Sequence, residues 1–314
     1  MQRSQYASVA AIASRDLAKA KRAAESLNIP RVYGSYEELL SDPEVEAVYN
    51  PLPNHLHVPW SIQAALRGKH VLCEKPIALT AAEARQLLDV RNRSGVHIQE
   101  AFMVRAHPQW LRAAALVESG RIGTVRSIAG VFSFFNRDAG NIRNVPEYGG
   151  GAIMDIGCYL VNTSRLIFKT EPRKVSALID RDPELGVDRL ASMILDYGSA
   201  HTIGTCSIQM VPYQRIHILG ERGRLELQIP FNAPNDRPCR LLVDDGSDLT
   251  GGNIETVEMA TCDQYSIQAD LFSQAIREGV GTTPYPLEDS IHNMAVIDAL
   301  FRSASSGRWE TPAD

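Results

Sequence analysis

The sequence predicts an α/β half followed by an α+β half, and three observations carry that division. Over residues 7–100, short apolar runs alternate with helical patterns. After about residue 104 the rhythm changes, and a succession of alternating strand candidates takes over. At 314 residues the chain is long enough for two domains, 1–104 and 105–314.

The elements follow in order. Residues 7–13, small and apolar throughout, read as a buried strand of a parallel sheet. Asp16 is a plausible cap for a helix over 16–27. A short helix over 35–40 precedes a strand at 47–50, and Pro51 and Pro53 then enforce a loop. A helix at 58–67 ends on Gly68, a strand covers 71–73, Thr80 caps a helix over 81–91, and a strand at 96–100 closes the series. Strand and helix alternating in this way mean a doubly wound, Rossmann-type parallel sheet. In the second half a helix over 107–119 leads to a strand at 125–135 and a helix at 151–168. Strands follow at 173–180, 189–196, 200–209, 213–219, 223–229, 239–243 and 253–258. They form a large, mainly antiparallel sheet with one face buried, and helices at 264–278 and 287–305 finish the chain.

A dinucleotide-binding sheet opens with a strand and a G-x-G-x-x-G turn, and no glycine precedes Gly34. The strand at 7–13 therefore reads as the second of its fold, with residues 1–5 as the end of a first helix. The expectation is a parallel sheet truncated at its start, lacking the phosphate-cradling loop, with exposed apolar edges and weakened cofactor affinity.

Composition excludes several classes. A net charge of -5 and the absence of a basic run argue against nucleic acid or an anionic membrane as partner. No apolar stretch reaches membrane-span length, and Met1 to Gln5 lack a signal-peptide core, so a cytoplasmic protein is expected. The five cysteines are scattered without a CxxC pair, which suggests reduced thiols rather than a disulfide framework or a zinc site. His55 and His57 have no third ligand at suitable spacing, so no metal is expected.

Chemistry concentrates at the carboxyl ends of the predicted parallel strands, where ligands bind in such sheets. Ser14 and Arg15 follow the first strand; an arginine there suits the 2′-phosphate of NADP, where an acid would suit NAD. Leu52, Asn54 and His57 sit on the proline-stiffened loop after the strand at 47–50, and His57 can equally serve a structural bond at the helix start. Glu74, Lys75 and Pro76 follow the strand at 71–73; the proline biases Lys75 toward extended geometry and aims its amine. The competing reading is a surface turn with a solvated lysine. Burial would lower the lysine pKa and a nearby carboxylate would raise it, and the sequence leaves that balance open. Gly149, Gly150 and Gly151 then open a helix on which Asp155 and Tyr159, four apart, share a face. A carboxylate and a phenol near a lysine make an acid–base constellation, with the lysine expected to bring the phenol toward neutrality. Phe102, Arg105 and His107 are candidates to line the pocket, Arg105 on the cofactor side. The polar loop 136–144 offers Arg143 to a hydroxylated substrate, and Tyr285 is a further candidate.

From Ala13 onward these motifs resemble the Gfo/Idh/MocA oxidoreductase family. The matching pieces are Ala13-Ser14-Arg15, residues 51–57, Glu74-Lys75-Pro76, and the three glycines with Asp155 and Tyr159. The tyrosine places the resemblance with the glucose-fructose oxidoreductase, xylose dehydrogenase and dihydrodiol dehydrogenase branch. The resemblance implies cofactor contacts from the 51–57 loop and from Glu74 to the nicotinamide ribose, with Lys75 between nicotinamide and substrate. It further implies hydride transfer between NADP (NAD being possible) and a sugar, polyol or trans-dihydrodiol. Lys75, Asp155 and Tyr159 would be catalytic, and together with Arg143 they would bind substrate. The alternative is a non-catalytic sugar- or nucleotide-binding or regulatory protein on the same fold. An uncovered face of the second sheet would make the protein a homodimer or a dimer of dimers.

Overall fold

The computed structural model describes residues 1–279 and 285–313. The first half contains β1 (Ala11–Ala13), α1 (Leu17–Leu27), β2 (Arg31–Tyr33), α2 (Tyr36–Ser41), β3 (Ala47–Asn50), α3 (His57–Leu66), β4 (His70–Cys73), α4 (Ala81–Ser94) and β5 (Ile98–Glu100). The local signals act as expected. Asp16, Ser35 and Thr80 each accept a hydrogen bond from the backbone three residues on, at 3.1 Å, satisfying donors that a helix start leaves open. Asn28 and Gly95 end α1 and α4 in the left-handed region, at φ 52° and 68°.

All pairings in this half are parallel: β1 with β2, β3 with β4, and β4 with β5. β1 and β3 do not pair, so the sheet lies in two pieces of two and three strands. The expected strand over 7–13 shrinks to its last three residues. The helical end expected at residues 1–5 is also not found. A turn stands there instead, because Asp270 accepts from the Gln5 and Tyr6 amides and from the Ser4 hydroxyl and holds the segment against the far end of the chain.

A helical turn at Met103–Ala106 leads into the second half: α5 (Pro108–Glu118), β6 (Val125–Phe135), a π-helical turn (Ile153–Gly157) running into α6 (Cys158–Phe168), then β7 (Lys174–Arg181), β8 (Asp188–Asp196), β9 (His201–Ser207), β10 (Gln209–Gly220), β11 (Arg224–Leu227), β12 (Cys239–Asp244), β13 (Glu255–Met259), α7 (Gln264–Glu278) and α8 (Leu287–Ser306). Eight strands form one sheet in the order β13-β12-β11-β10-β6-β9-β8-β7, antiparallel except for β6 with β9.

α6 packs on the inner face of this sheet. Two strand glycines, Gly130 and Gly204, make that approach possible: a Cβ on Gly130 would lie 2.7 Å from Leu160, and one on Gly204 3.0 Å from it. α8 ties the halves together, with Asp298 accepting from the Ala81 amide at 2.9 Å and Glu288 paired with Arg91 at 2.7 Å. The outer face keeps apolar side chains in the open, with Leu178 79% exposed and Ile203 48%.

Candidate active site

A cleft of about 150 Å³ opens at the carboxyl ends of β3 and β4, against the glycine turn and the start of the α6 helix. Leu52, Asn54, His57, Glu74 and Lys75 line it from the first half, and Arg143, Gly149, Gly150 and Asp155 from the second.

The first wall is a set of loops pinned by polar side chains. His57 is buried, with Nδ1 2.7 Å from the Pro76 carbonyl and Nε2 2.6 Å from the Leu52 carbonyl. Burial lowers its pKa from the usual histidine value. The neutral ring donates to one of these carbonyls, so His57 ties its own loop together or to Pro76 while also lining the cleft. Asn54 donates to the Gly149 carbonyl at 2.8 Å and reaches across the cleft. Glu74 accepts from the Tyr49 hydroxyl and, through its other oxygen, from the Lys75 amide at 3.2 Å. Glu100, buried behind this wall, accepts from the Ile77 amide at 2.8 Å just after the cis Lys75–Pro76 bond.

Lys75 is the residue on which the two walls meet. Its amine donates to the Asp155 carbonyl at 2.5 Å and to Asp155 Oδ1 at 3.2 Å, and lies 4.9 Å from the centroid of the Tyr159 ring. Burial pulls its pKa down, but Asp155, Cys158 and Glu74 pull harder the other way, and the net shift is upward. The amine is thus a charged donor near neutral pH. The other oxygen of Asp155 accepts from Arg143 Nε at 2.8 Å, so one carboxylate holds two cations.

Tyr159 differs from expectation in one respect. Its ring sits beneath the ammonium, but its hydroxyl donates to Met103 Sδ at 3.4 Å and not toward Lys75. Phe102 and Phe132 meet the ring edge-on, at centroid distances of 5.3 and 5.8 Å. Burial pushes the phenol well above its ordinary pKa, so the lysine does not bring it toward neutrality. Asp155 also departs from the simple helix expected, because it stands in the π-helical turn, a local widening that frequently marks functional sites.

Arg105 is not among the residues that line the cleft. Its guanidinium pairs with Asp289 and lies 4.8 Å from the centroid of the Tyr285 ring, away from the cleft lining. The pairing partner is 184 residues distant in the chain. Tyr285 is thereby accounted for, and its hydroxyl also donates to the Arg105 carbonyl at 2.9 Å. His107 caps α5, accepting from the Gln109 amide at 3.1 Å. Of the 136–144 loop only Ile142 and Arg143 line the cleft, while Arg137 pairs with Asp182 and Glu184.

Ser14 accepts from the Asp16 amide at 3.1 Å. Arg15 is exposed just past the carboxyl end of β1 and has no ion pair among the described residues. Among those residues no group of three or more His, Cys, Asp or Glu is placed to hold a metal ion. Sequence reasoning missed Tyr49, Glu100 and Asp188. It also missed Tyr148, whose ring stacks on His55 at 4.6 Å.

A nicotinamide dinucleotide fits the residues present. The cleft lies beyond the parallel strand ends, Glu74 and Asn54 offer polar atoms within it, and Arg15 stands uncommitted at an adjacent strand end.

Comparison with known proteins agrees with this geometry. Residues 1–102 match the model of an oxidoreductase family with an NAD-binding Rossmann fold. Residues 110–226 match the GFO/IDH/MocA C-terminal domain. An uncharacterized oxidoreductase of Rhizobium meliloti is 49% identical over 304 residues, covering 96% of this chain and 91% of its own. The D-xylose 1-dehydrogenase (NADP(+)) 2 of Haloferax volcanii is 40% identical over 302 residues, covering 95% and 90%. Among solved structures, a 3-ketoreductase from Actinomadura kijaniata in complex with TDP-benzene and NADP superimposes with a TM-score of 0.86 at 28% identity, covering 96% of this chain and 91% of that one. Among the described residues no helix is long and apolar enough to cross a membrane.

Proposed function

The chain belongs to the Gfo/Idh/MocA oxidoreductase family, and from that membership we propose that it transfers a hydride between NADP and a neutral sugar, polyol or trans-dihydrodiol. The observation that carries this reading is the Lys75 ammonium, held at the edge of the cleft between Asp155 and the Tyr159 ring. The dehydrogenase and reductase named above supply the reaction class and the cofactor by similarity.

Bound nicotinamide supplies the hydride donor or acceptor. Lys75 has three N–H donors, two of them committed to Asp155, and the third is available to the reacting oxygen. It stabilises negative charge as that charge develops on the oxygen. Asp155 holds the ammonium and Arg143 in place. Tyr159 keeps its proton near neutral pH; its ring is the surface on which the ammonium rests, and its hydroxyl acts as a neutral donor to the substrate on turning from Met103 Sδ.

Charge supports a neutral substrate. Four charged residues line the cleft, Glu74 and Asp155 against Lys75 and Arg143, and both cations already share Asp155. The two cations are balanced by the two carboxylates, so the cleft offers no net positive charge to a carboxylate or phosphate on the substrate, whereas hydroxyls exchange hydrogen bonds without burying a new charge. Arg15 favours NADP over NAD at the adenosine end.

The test is nicotinamide absorbance with purified protein, NADPH or NADP, and a panel of free pentoses, hexoses and trans-diols beside their acids and phosphates. Turnover confined to neutral compounds is expected. Preference for the charged set overturns the substrate assignment, and cofactor binding without turnover on any member favours a non-catalytic binder. For assembly, the proposal is a homodimer through the apolar outer face that carries Leu178, Ile194 and Ile203. A monomeric mass by light scattering at micromolar concentration removes that part.

A further inference from the structure

Asp188 lies at the first residue of β8, 2% exposed, and does not line the cleft. Its Oδ2 accepts from the Ile153 amide at 2.7 Å, the first residue of the π-helical turn. Its Oδ1 occupies the place of a side chain on Gly151: a Cβ there would fall 1.8 Å from that oxygen. Gly151 has φ +115°, a backbone conformation that L side chains rarely adopt. The carboxylate and the glycine are therefore fitted to each other.

The same turn holds the residues that grip the lysine. The Gly151 carbonyl accepts from the Asp155 amide at 3.0 Å, and the Gly151 amide donates to the Arg143 carbonyl at 2.9 Å. Asp155 then presents its carbonyl and one carboxylate oxygen to Lys75, and its other oxygen to Arg143. One hydrogen bond from a strand of the large sheet to Ile153, the backbone from Ile153 back to Gly151, and the Gly151–Asp155 hydrogen bond thus connect Asp188 to the cleft.

We propose that Asp188 is a positioning residue for Lys75, acting through the Gly151–Ile153 backbone on Asp155. Burial raises its carboxyl to about 6, against the backbone amides of Ile153 and Ala152, which favour the charged form. The inference rests on the role proposed above for Lys75, but it is measurable without substrate.

The experiment is acylation of lysine amines by acetic anhydride at low conversion, quantified for each lysine by mass spectrometry, in wild type, Asp188→Ala and Asp188→Asn. Lys69 is the internal control: it is buried, donates to the Asp42 carbonyl at 2.7 Å and does not line the cleft. When Asp155 loosens, the Lys75 amine loses a hydrogen bond and its rate rises about fivefold in Asp188→Ala. In Asp188→Asn, which keeps an acceptor for Ile153, the rise is smaller. Lys69 keeps its rate in both, and turnover falls roughly 10- to 100-fold with NADPH affinity retained. An unchanged Lys75 rate, or a rise matched by Lys69, overturns the proposal; if Asp188→Ala does not fold, Asp188→Asn decides it by the same criterion. A selective Lys75 shift in a protein that turns over no substrate leaves this proposal standing and removes the functional reading instead.

Discussion

The two walls of the cleft are built by opposite means. The nucleotide-side wall consists of loops after short strands, and polar side chains pin them to backbone atoms: His57 to Pro76 and Leu52, Asn50 to the His57 carbonyl, and Glu100 to Ile77. The substrate-side wall is a helix seated by apolar packing in a sheet of eight strands, with Leu160 fully buried where Gly130 and Gly204 admit it. The difference teaches where each wall is vulnerable. A wall held by buried polar groups answers to proton concentration and to the loss of single partners. A wall held by close packing answers to volume.

The largest effect is expected where the walls meet. Lys75→Met should lower turnover by roughly 10³-fold or more, and Tyr159→Phe by about 10²-fold, with NADPH affinity nearly unchanged in both. Steady-state rates and a cofactor titration check this, and near-normal turnover in either variant removes the role given to that residue. Next comes the pH response of the pinned wall. Burial raises Glu100 from 4.5 to about 7, so the folded protein holds this proton more tightly than the unfolded chain does. Its contribution to stability is complete below about pH 4.5 and is lost as pH rises through about 7, a swing of order 3 kcal/mol. Urea midpoints measured between these limits should show a shallower slope in Glu100→Gln, and a slope equal to wild type counts against the assignment.

The packed wall supplies the contrast. A Cβ on Gly130 would lie 2.5 Å from Ile216 and 2.7 Å from Leu160, so Gly130→Ala should cost roughly 1–3 kcal/mol. That loss should be the same across the pH range, and a pH-dependent loss would blur the comparison between the walls. The smallest effect belongs to the rim: Arg15→Ala should erase a preference for NADP over NAD of roughly ten- to a hundredfold. An unchanged ratio of kcat/KM for the two cofactors rules that out.

The features legible in the sequence are those governed by local rules. Asp16 and Thr80 announce their helices because a cap acts on an amide three residues away. Lys75, Asn54 and Asp155 stand out because strand ends and glycine turns are themselves local signals. What escaped depends on distant partners. The charge of Arg105 is taken by a carboxylate in α8. Asp188 acts on an amide 35 residues earlier, and nothing adjacent to it hints at this. The π-helical turn and the direction of the Tyr159 hydroxyl follow from packing against Cys206, Met193 and Met103, which no spacing rule encodes.

One carboxylate answering two cations inside the cleft, with the Arg15 guanidinium standing alone outside it, means that dissolved salt acts differently on the two ends of a bound dinucleotide. Counter-ions at physiological strength blunt exposed charges beyond about 8 Å and reach enclosed pairs far less. Under the role proposed for Arg15, raising ionic strength should loosen the grip on the adenosine end while the bond-making step keeps its rate.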